Sequence, residues 1–125
     1  MRGFRLSRDT IAVAGARWRS PVRRVLVQGP SMAMTLRDGD QVLVWTARRP
    51  RPGAGAIVVV DLPGPRGVGI KRLRMIEPDG SLWVEGDNPF GSTDSRSLGP
   101  LSPDAVRGRV LLRIWPRPGY IRRSP

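Results

Sequence analysis

The sequence predicts a mostly β protein built as a single coiled antiparallel sheet with little helix. Three observations lead there. Short apolar runs rich in Val, Ile, Leu and Trp recur along the chain, 15 Gly and 13 Pro punctuate them, and helix signals are scarce. With 125 residues there is room for one domain and a modest core, and none for a second.

Strands are expected at residues 25–28, 41–46, 56–61, 68–75, 81–85 and 109–115, each bounded by turn residues. Val42-Leu43-Val44 and Ile57-Val58-Val59-Val60 are continuous rather than alternating, which predicts strands covered on both faces. Ser102-Pro103-Asp104-Ala105 has the form of one capped turn, with Ser102 at the N-cap and Pro103 first inside. A short helix is expected over residues 10–19. The chain then divides into a basic N-terminal tail (1–24), a β domain (25–116) and a basic C-terminal tail (117–125), with no strand expected in either tail.

The net charge of +12 is unevenly spread. Residues 1–24 hold seven Arg and one Asp, and 113–125 hold four Arg and no acid, so the stretch between them is almost balanced. Basic tails attract nucleic acid or anionic lipid, but an Arg-rich solvated tail is the plainer reading. A β module that binds nucleic acid through its tails and Trp18, Trp83 and Trp115 is the non-enzymatic alternative. It lacks a basic sheet face, and no nucleic-acid partner is expected. The longest uncharged run near the start spans seven residues, 10–16, far short of the ~20 that cross a membrane. The expectation is therefore a cytoplasmic protein without a membrane span, with peripheral contact to anionic lipid as the alternative.

The absence of His and Cys removes the imidazole base, the thiolate nucleophile, disulfides and Cys/His zinc sites. No cofactor or metal is expected. Among 22 basic residues only Lys71 is lysine. Arginine stays protonated and cannot serve as a general base, so a single lysine in an Arg-rich chain points to a need for a titratable amine.

Three segments are richer in polar and turn residues than their surroundings. In Gly29-Pro30-Ser31-Met32, a serine leaves a strand at a sharp turn, which exposes its hydroxyl and points backbone N–H groups the same way. From this segment alone, an ordinary turn capped by Ser31 is the better reading. In Gly69-Ile70-Lys71-Arg72, the lysine lies in an apolar run, where burial and the adjacent Arg72 would both disfavour its charged form. Bringing it close to neutral requires about three pKa units, ~4 kcal/mol. The third segment, residues 85–100, is dense in hydroxyl, amide and carboxylate groups. There Asp94 and Arg96 can pair, and Ser92 can donate to or accept from an amine. Composition alone makes it a long surface loop.

In this order the three segments resemble the motif set of the type I signal peptidase family of Ser-Lys proteases. The matching residues are Ser31-Met32 with Thr35-Leu36 and Gly39-Asp40, then Lys71-Arg72, then Gly86-Asp87-Asn88 and Ser92-Thr93-Asp94-Ser95-Arg96. The resemblance implies the family's mostly β catalytic domain, Ser31 as nucleophile, Lys71 as general base, Ser92 as the hydroxyl that orients the lysine, and Asp94 with Arg96 as supports. Some members carry an oxyanion hydroxyl two residues before the nucleophile; Gly29 stands there instead. Met34 replaces a usual proline. Neither a membrane anchor nor an inserted second β region is expected within 125 residues, and in this the chain resembles the soluble nickel-type superoxide dismutase maturation proteases. The implied partner is a protein precursor, the dismutase proenzyme, whose N-terminal propeptide is removed. A self-cleaving repressor shares the chemistry but needs a DNA-binding domain that 24 residues cannot supply.

Overall fold

The computed structural model describes residues 21–33, 35–47 and 51–122. The helix expected over 10–19, Trp18 and Met34 lie outside them. Among the described residues seven strands make one antiparallel sheet: β1 (Val22–Leu26), β2 (Gln41–Trp45), β3 (Ile57–Leu62), β4 (Gly67–Ile76), β5 (Leu82–Glu85), β6 (Val106–Trp115) and β7 (Gly119–Tyr120). The spatial order is β1-β2-β6-β3-β4-β5, with β7 paired to β6. The mostly β, single-sheet expectation holds.

β3 is central because its sequence suits no other place. All four residues of its Ile57-Val58-Val59-Val60 run are buried. Ile57 and Val59 face a core with Val25, Val27, Met32, Leu36, Val42, Val44 and Val110, whereas Val58 and Val60 face a second core with Leu73, Leu82, Val84 and Leu101. A β-branched run with apolar partners on both faces is what a doubly covered strand requires. The same expectation fails for β2, where Val42 and Val44 are buried but Leu43 is only half-buried, so alternation returns.

β6 is ten residues long and serves two neighbours, pairing with β2 from Arg109 to Trp115 and with β3 from Val106 to Arg109. Register shifts within both ladders mark bulges, which bend and coil the sheet. Close approach at Gly108 fits that bend: a Cβ there would lie 2.4 Å from Val44 Cγ1 and 2.9 Å from the Trp45 carbonyl oxygen.

Two stretches read as tail carry strands. Val22 to Arg24 belong to β1, and β7 lies beyond residue 117. Short strands set in Arg-rich stretches have weak local signals; their pairing with β2 and β6 decides the conformation. The capped turn at 102–105 is present as a 3-10 turn, where the Ser102 hydroxyl accepts from the Asp104 N–H.

Candidate active site

Lys71 sits mid-way along β4, opposite Val58, and thus on the face of the second core with Leu73. Its stem fits because residue 69 is glycine: a Cβ there would lie 3.0 Å from Leu62 Cδ1 and 3.3 Å from Lys71 Cε. Only 4 % of Lys71 is exposed. Burial pulls its ammonium down to about 8; Asp94 opposes this and Arg96 adds to it. The neighbour expected to repel it, Arg72, points to the other face, opposite Ile57, as side chains alternate along a strand. The cation that acts on Lys71 is Arg96.

The Lys71 amine donates to Ser92 Oγ at 3.1 Å, and Ser92 Oγ donates to Asp94 Oδ2 at 2.7 Å. A hydroxyl has one proton. Since that proton goes to Asp94, Ser92 offers Lys71 a lone pair, which settles the direction the sequence leaves open. Asp94 is fully buried and holds five contacts: the Gly86 N–H at 2.7 Å, Ser92 at 2.7 Å, the Arg96 N–H at 3.1 Å, and the Arg96 guanidinium at 2.6 and 3.1 Å. Burial alone would raise its carboxyl, but these donors outweigh it and hold the group well below the usual carboxylate range. Asp94 also caps the four-residue helix α1 (Ser95–Leu98), whose Ser95 hydroxyl accepts from the Val84 N–H of β5 at 2.9 Å. Residues 85–100 are therefore not a free surface loop: the segment is pinned from inside by Asp94 and Ser95.

Ser31 lies on the turn after β1. Gly29 makes that turn with φ +85, and its N–H donates to Asp38 Oδ1 at 2.8 Å, so Gly29 supports the bend and its N–H is committed elsewhere. The Ser31 hydroxyl donates to the Ile70 carbonyl, one residue before Lys71, over a long 3.5 Å. Its backbone N–H has no partner among the described residues.

Contacts absent from the sequence reading bind this turn to the loop that holds Lys71. The Asn88 N–H donates to the Ser31 carbonyl at 2.9 Å, and Asn88 Nδ2 donates to the Pro30 carbonyl at 3.0 Å. Beneath them Thr35 Oγ1 donates to Asp87, which receives Arg72 at 2.6 and 3.2 Å. Gly86 is the contact point: a Cβ would lie 2.3 Å from Ser92 Oγ and 2.5 Å from the Ser31 carbonyl oxygen. Only glycine allows the serine turn and the Ser92 hydroxyl to close over the same backbone.

A serine turn, a buried lysine of lowered pKa and a hydroxyl held between that lysine and a carboxylate make up a site with the groups of a hydrolase. Residues 5–100 match the family described as Peptidase S24-like, and the chain belongs to that family. It is 34 % identical to mitochondrial inner membrane protease subunit 1 of Homo sapiens over 81 % of this chain and 75 % of that protein. Identity to the mitochondrial ATP-independent inner membrane protease subunit 1a of Arabidopsis thaliana is 34 %, over 72 % and 68 %. Identity to mitochondrial inner membrane protease subunit 2 of Danio rerio is 37 %, over 79 % and 67 %.

These relatives support a peptidase and not dismutase maturation in particular. They also overturn the cytoplasmic location, because each is named for the mitochondrial inner membrane. That expectation rested on the lack of a long apolar run. No helix among the described residues is long and apolar enough to cross a membrane, but this does not place a protein in the cytoplasm.

Proposed function

We propose that the chain is a serine endopeptidase in which Ser31 attacks the scissile carbonyl, Lys71 is the general base, and an N-terminal propeptide is released from a protein precursor. The observation that carries it is the environment of Lys71: buried, shifted to about 8, and bonded to a hydroxyl whose own proton is given to Asp94. From that value, about one lysine in ten is neutral at pH 7. The neutral amine keeps its N–H on Ser92 and has its lone pair free for the serine proton.

Leaving the Ile70 carbonyl, the Ser31 hydroxyl gives its proton to Lys71 Nζ as Oγ bonds to the substrate carbonyl carbon. The carbonyl electron pair moves onto oxygen, where the Ser31 N–H stabilises it. Collapse of this intermediate breaks the C–N bond, and the Lys71 ammonium protonates the leaving amine. Water then attacks the acyl-enzyme, again losing its proton to Lys71. The new carboxyl group departs as Ser31 Oγ recovers its proton. Ser92, Asp94 and Arg96 hold the lysine in place throughout without exchanging protons.

The substrate favoured by the motif resemblance is a nickel-type superoxide dismutase precursor. A second reading, a protease acting on precursors at a membrane, is favoured by the names of the relatives. The test is to incubate the purified protein with each precursor and read new N-termini by mass spectrometry. Cleavage is expected to fall on the order of 10⁴-fold or more in Ser31→Ala and in Lys71→Arg, which keeps charge but loses the base. Cleavage of only the membrane-directed precursor selects the second reading. Equal cleavage by wild type and Ser31→Ala defeats both.

A further inference from the structure

Phe90 is the most exposed large hydrophobic side chain among the described residues, at 97 %. Single exposed apolar residues are common and usually mean little. Phe90 differs in how it is held. Its N–H donates to Asn88 Oδ1 at 3.1 Å, and the Gly91 N–H donates to the Asn88 carbonyl at 3.2 Å. Asn88 in turn is bonded to the carbonyls of both Pro30 and Ser31. A Cβ at Gly91 would lie 3.0 Å from Pro30 Cγ, so the loop tip rests directly on the residue before the serine. Two residues further along, Ser92 receives the Lys71 amine.

The phenyl ring contributes no burial to the fold, yet its backbone is fixed to the turn that carries Ser31. Pro30 and Pro89 are exposed beside it, and residues 88–91 carry no charge. The result is an apolar rim whose backbone is tied to the serine turn. Such a rim binds at low entropic cost, because neither its backbone nor its prolines need ordering when covered.

We propose that Phe90, with Pro30 and Pro89, is the substrate-contacting rim that receives one large apolar or aromatic side chain of the precursor close to the scissile bond. This rests on the peptidase reading above. The uncharged, aromatic character of the rim sets the chemistry of its occupant, and the links through Asn88 and Gly91 keep it beside Ser31.

The experiment measures kcat and KM for wild type and Phe90→Ser on a precursor that wild type cleaves. It repeats them on precursor variants in which each large apolar residue within about four positions of the cut, a reach of ~13 Å in an extended chain, is changed to Ser. Phe90→Ser is expected to lose about tenfold in kcat/KM on the natural precursor, through KM with kcat held, and Phe90→Leu to recover most of that loss. At one precursor position the Ser substitution should cost wild type about tenfold and Phe90→Ser almost nothing, the coupling of two side chains in contact. Losses that multiply independently at every position, or a Phe90→Ser enzyme as efficient as wild type, overturn the rim. Absence of any Ser31-dependent cleavage instead overturns the peptidase reading and takes the rim with it.

Discussion

Lys71 and Arg72 are neighbours on β4, each 4 % exposed, and the two faces of the strand treat their charges in opposite ways. Arg72 meets the Asp87 carboxylate directly at 2.6 and 3.2 Å, and two further donors reach the carbonyls of Gly55 at 2.9 Å and Arg122 at 3.0 Å. That cation is paired, and four of its five N–H donors are engaged. Lys71 also has a buried carboxylate nearby, but Ser92 stands between them. Direct contact with Asp94 would hold the ammonium charged and end its use as a base. One interposed hydroxyl orients the amine while leaving its proton removable. Arg72 is a cation held in a direct ion pair and Lys71 one held against its charge, as its proposed role as a base requires, and three substitutions break or sharpen that contrast.

The largest effect is expected on the Arg72 side. Asp87→Ala leaves a buried guanidinium without its counter-ion and strips Thr35 of its acceptor. Loss of one partner of a buried pair costs about 3–5 kcal/mol. Denaturant unfolding of Asp87→Ala against wild type measures it. A loss below about 1 kcal/mol, the scale of exposed pairs, would show that the pair does not hold the serine turn to β4.

On the Lys71 side, Ser92→Ala should fold, since Gly86 and Arg96 still hold Asp94. The amine loses its one acceptor and its direction. We expect kcat to fall about 100-fold, the scale of a lost positioning bond in a site of this kind. The charged form also loses a hydrogen bond, so the rising limb of the pH–rate profile should move below its wild-type position near 8. A merely structural lesion lowers the plateau and leaves the limb where it was; that outcome would show that Ser92 does not position the lysine amine.

Much of this contrast is legible in the sequence, and its limits have physical causes. Composition singles out Lys71 as the lone lysine, and the resemblance of the three ordered segments to the Ser-Lys protease family marks Ser31, Ser92, Asp94 and Arg96. The continuous run in β3 announces a doubly covered strand, yet a similar run in β2 does not, because burial depends on what packs against the other face. Adjacency in sequence suggests Arg72 as a repulsive neighbour of Lys71, whereas strand alternation places the two on opposite faces. Arg96 as the acting cation, Gly86 as the closest approach and Asn88 as the tie to Ser31 depend on contacts between residues 31–35, 70–72 and 86–96. No pattern within one segment encodes them. Strands β1 and β7 begin or lie in Arg-rich stretches for the same reason: pairing, not propensity, makes them.

The smallest effect runs in an unusual direction. In the unfolded chain Lys71 has its ordinary pKa of 10.5, while in the fold it titrates near 8. Below pH 8 both states hold the proton, and the folded state bears the full penalty of a desolvated charge. Between 8 and 10.5 the fold sheds the proton and the unfolded chain keeps it, so stability rises with pH across that window. Lys71→Met, which fills similar space without a charge, is therefore expected to stabilise the protein at pH 7 by about 2 kcal/mol after allowing for the lost bond to Ser92. That advantage should close at about pH 9.5 and reverse by roughly 1 kcal/mol at pH 10.5, where wild type has lost its penalty and keeps the bond to Ser92. Urea unfolding of the two proteins at pH 7 and near pH 10 checks both parts, since all other titrating groups cancel in the difference. A constant gap across that range would mean that Lys71 is not held against its charge, and the base would have to be sought elsewhere. A gap that closes ties the instability of the fold to the same buried amine that its proposed chemistry requires.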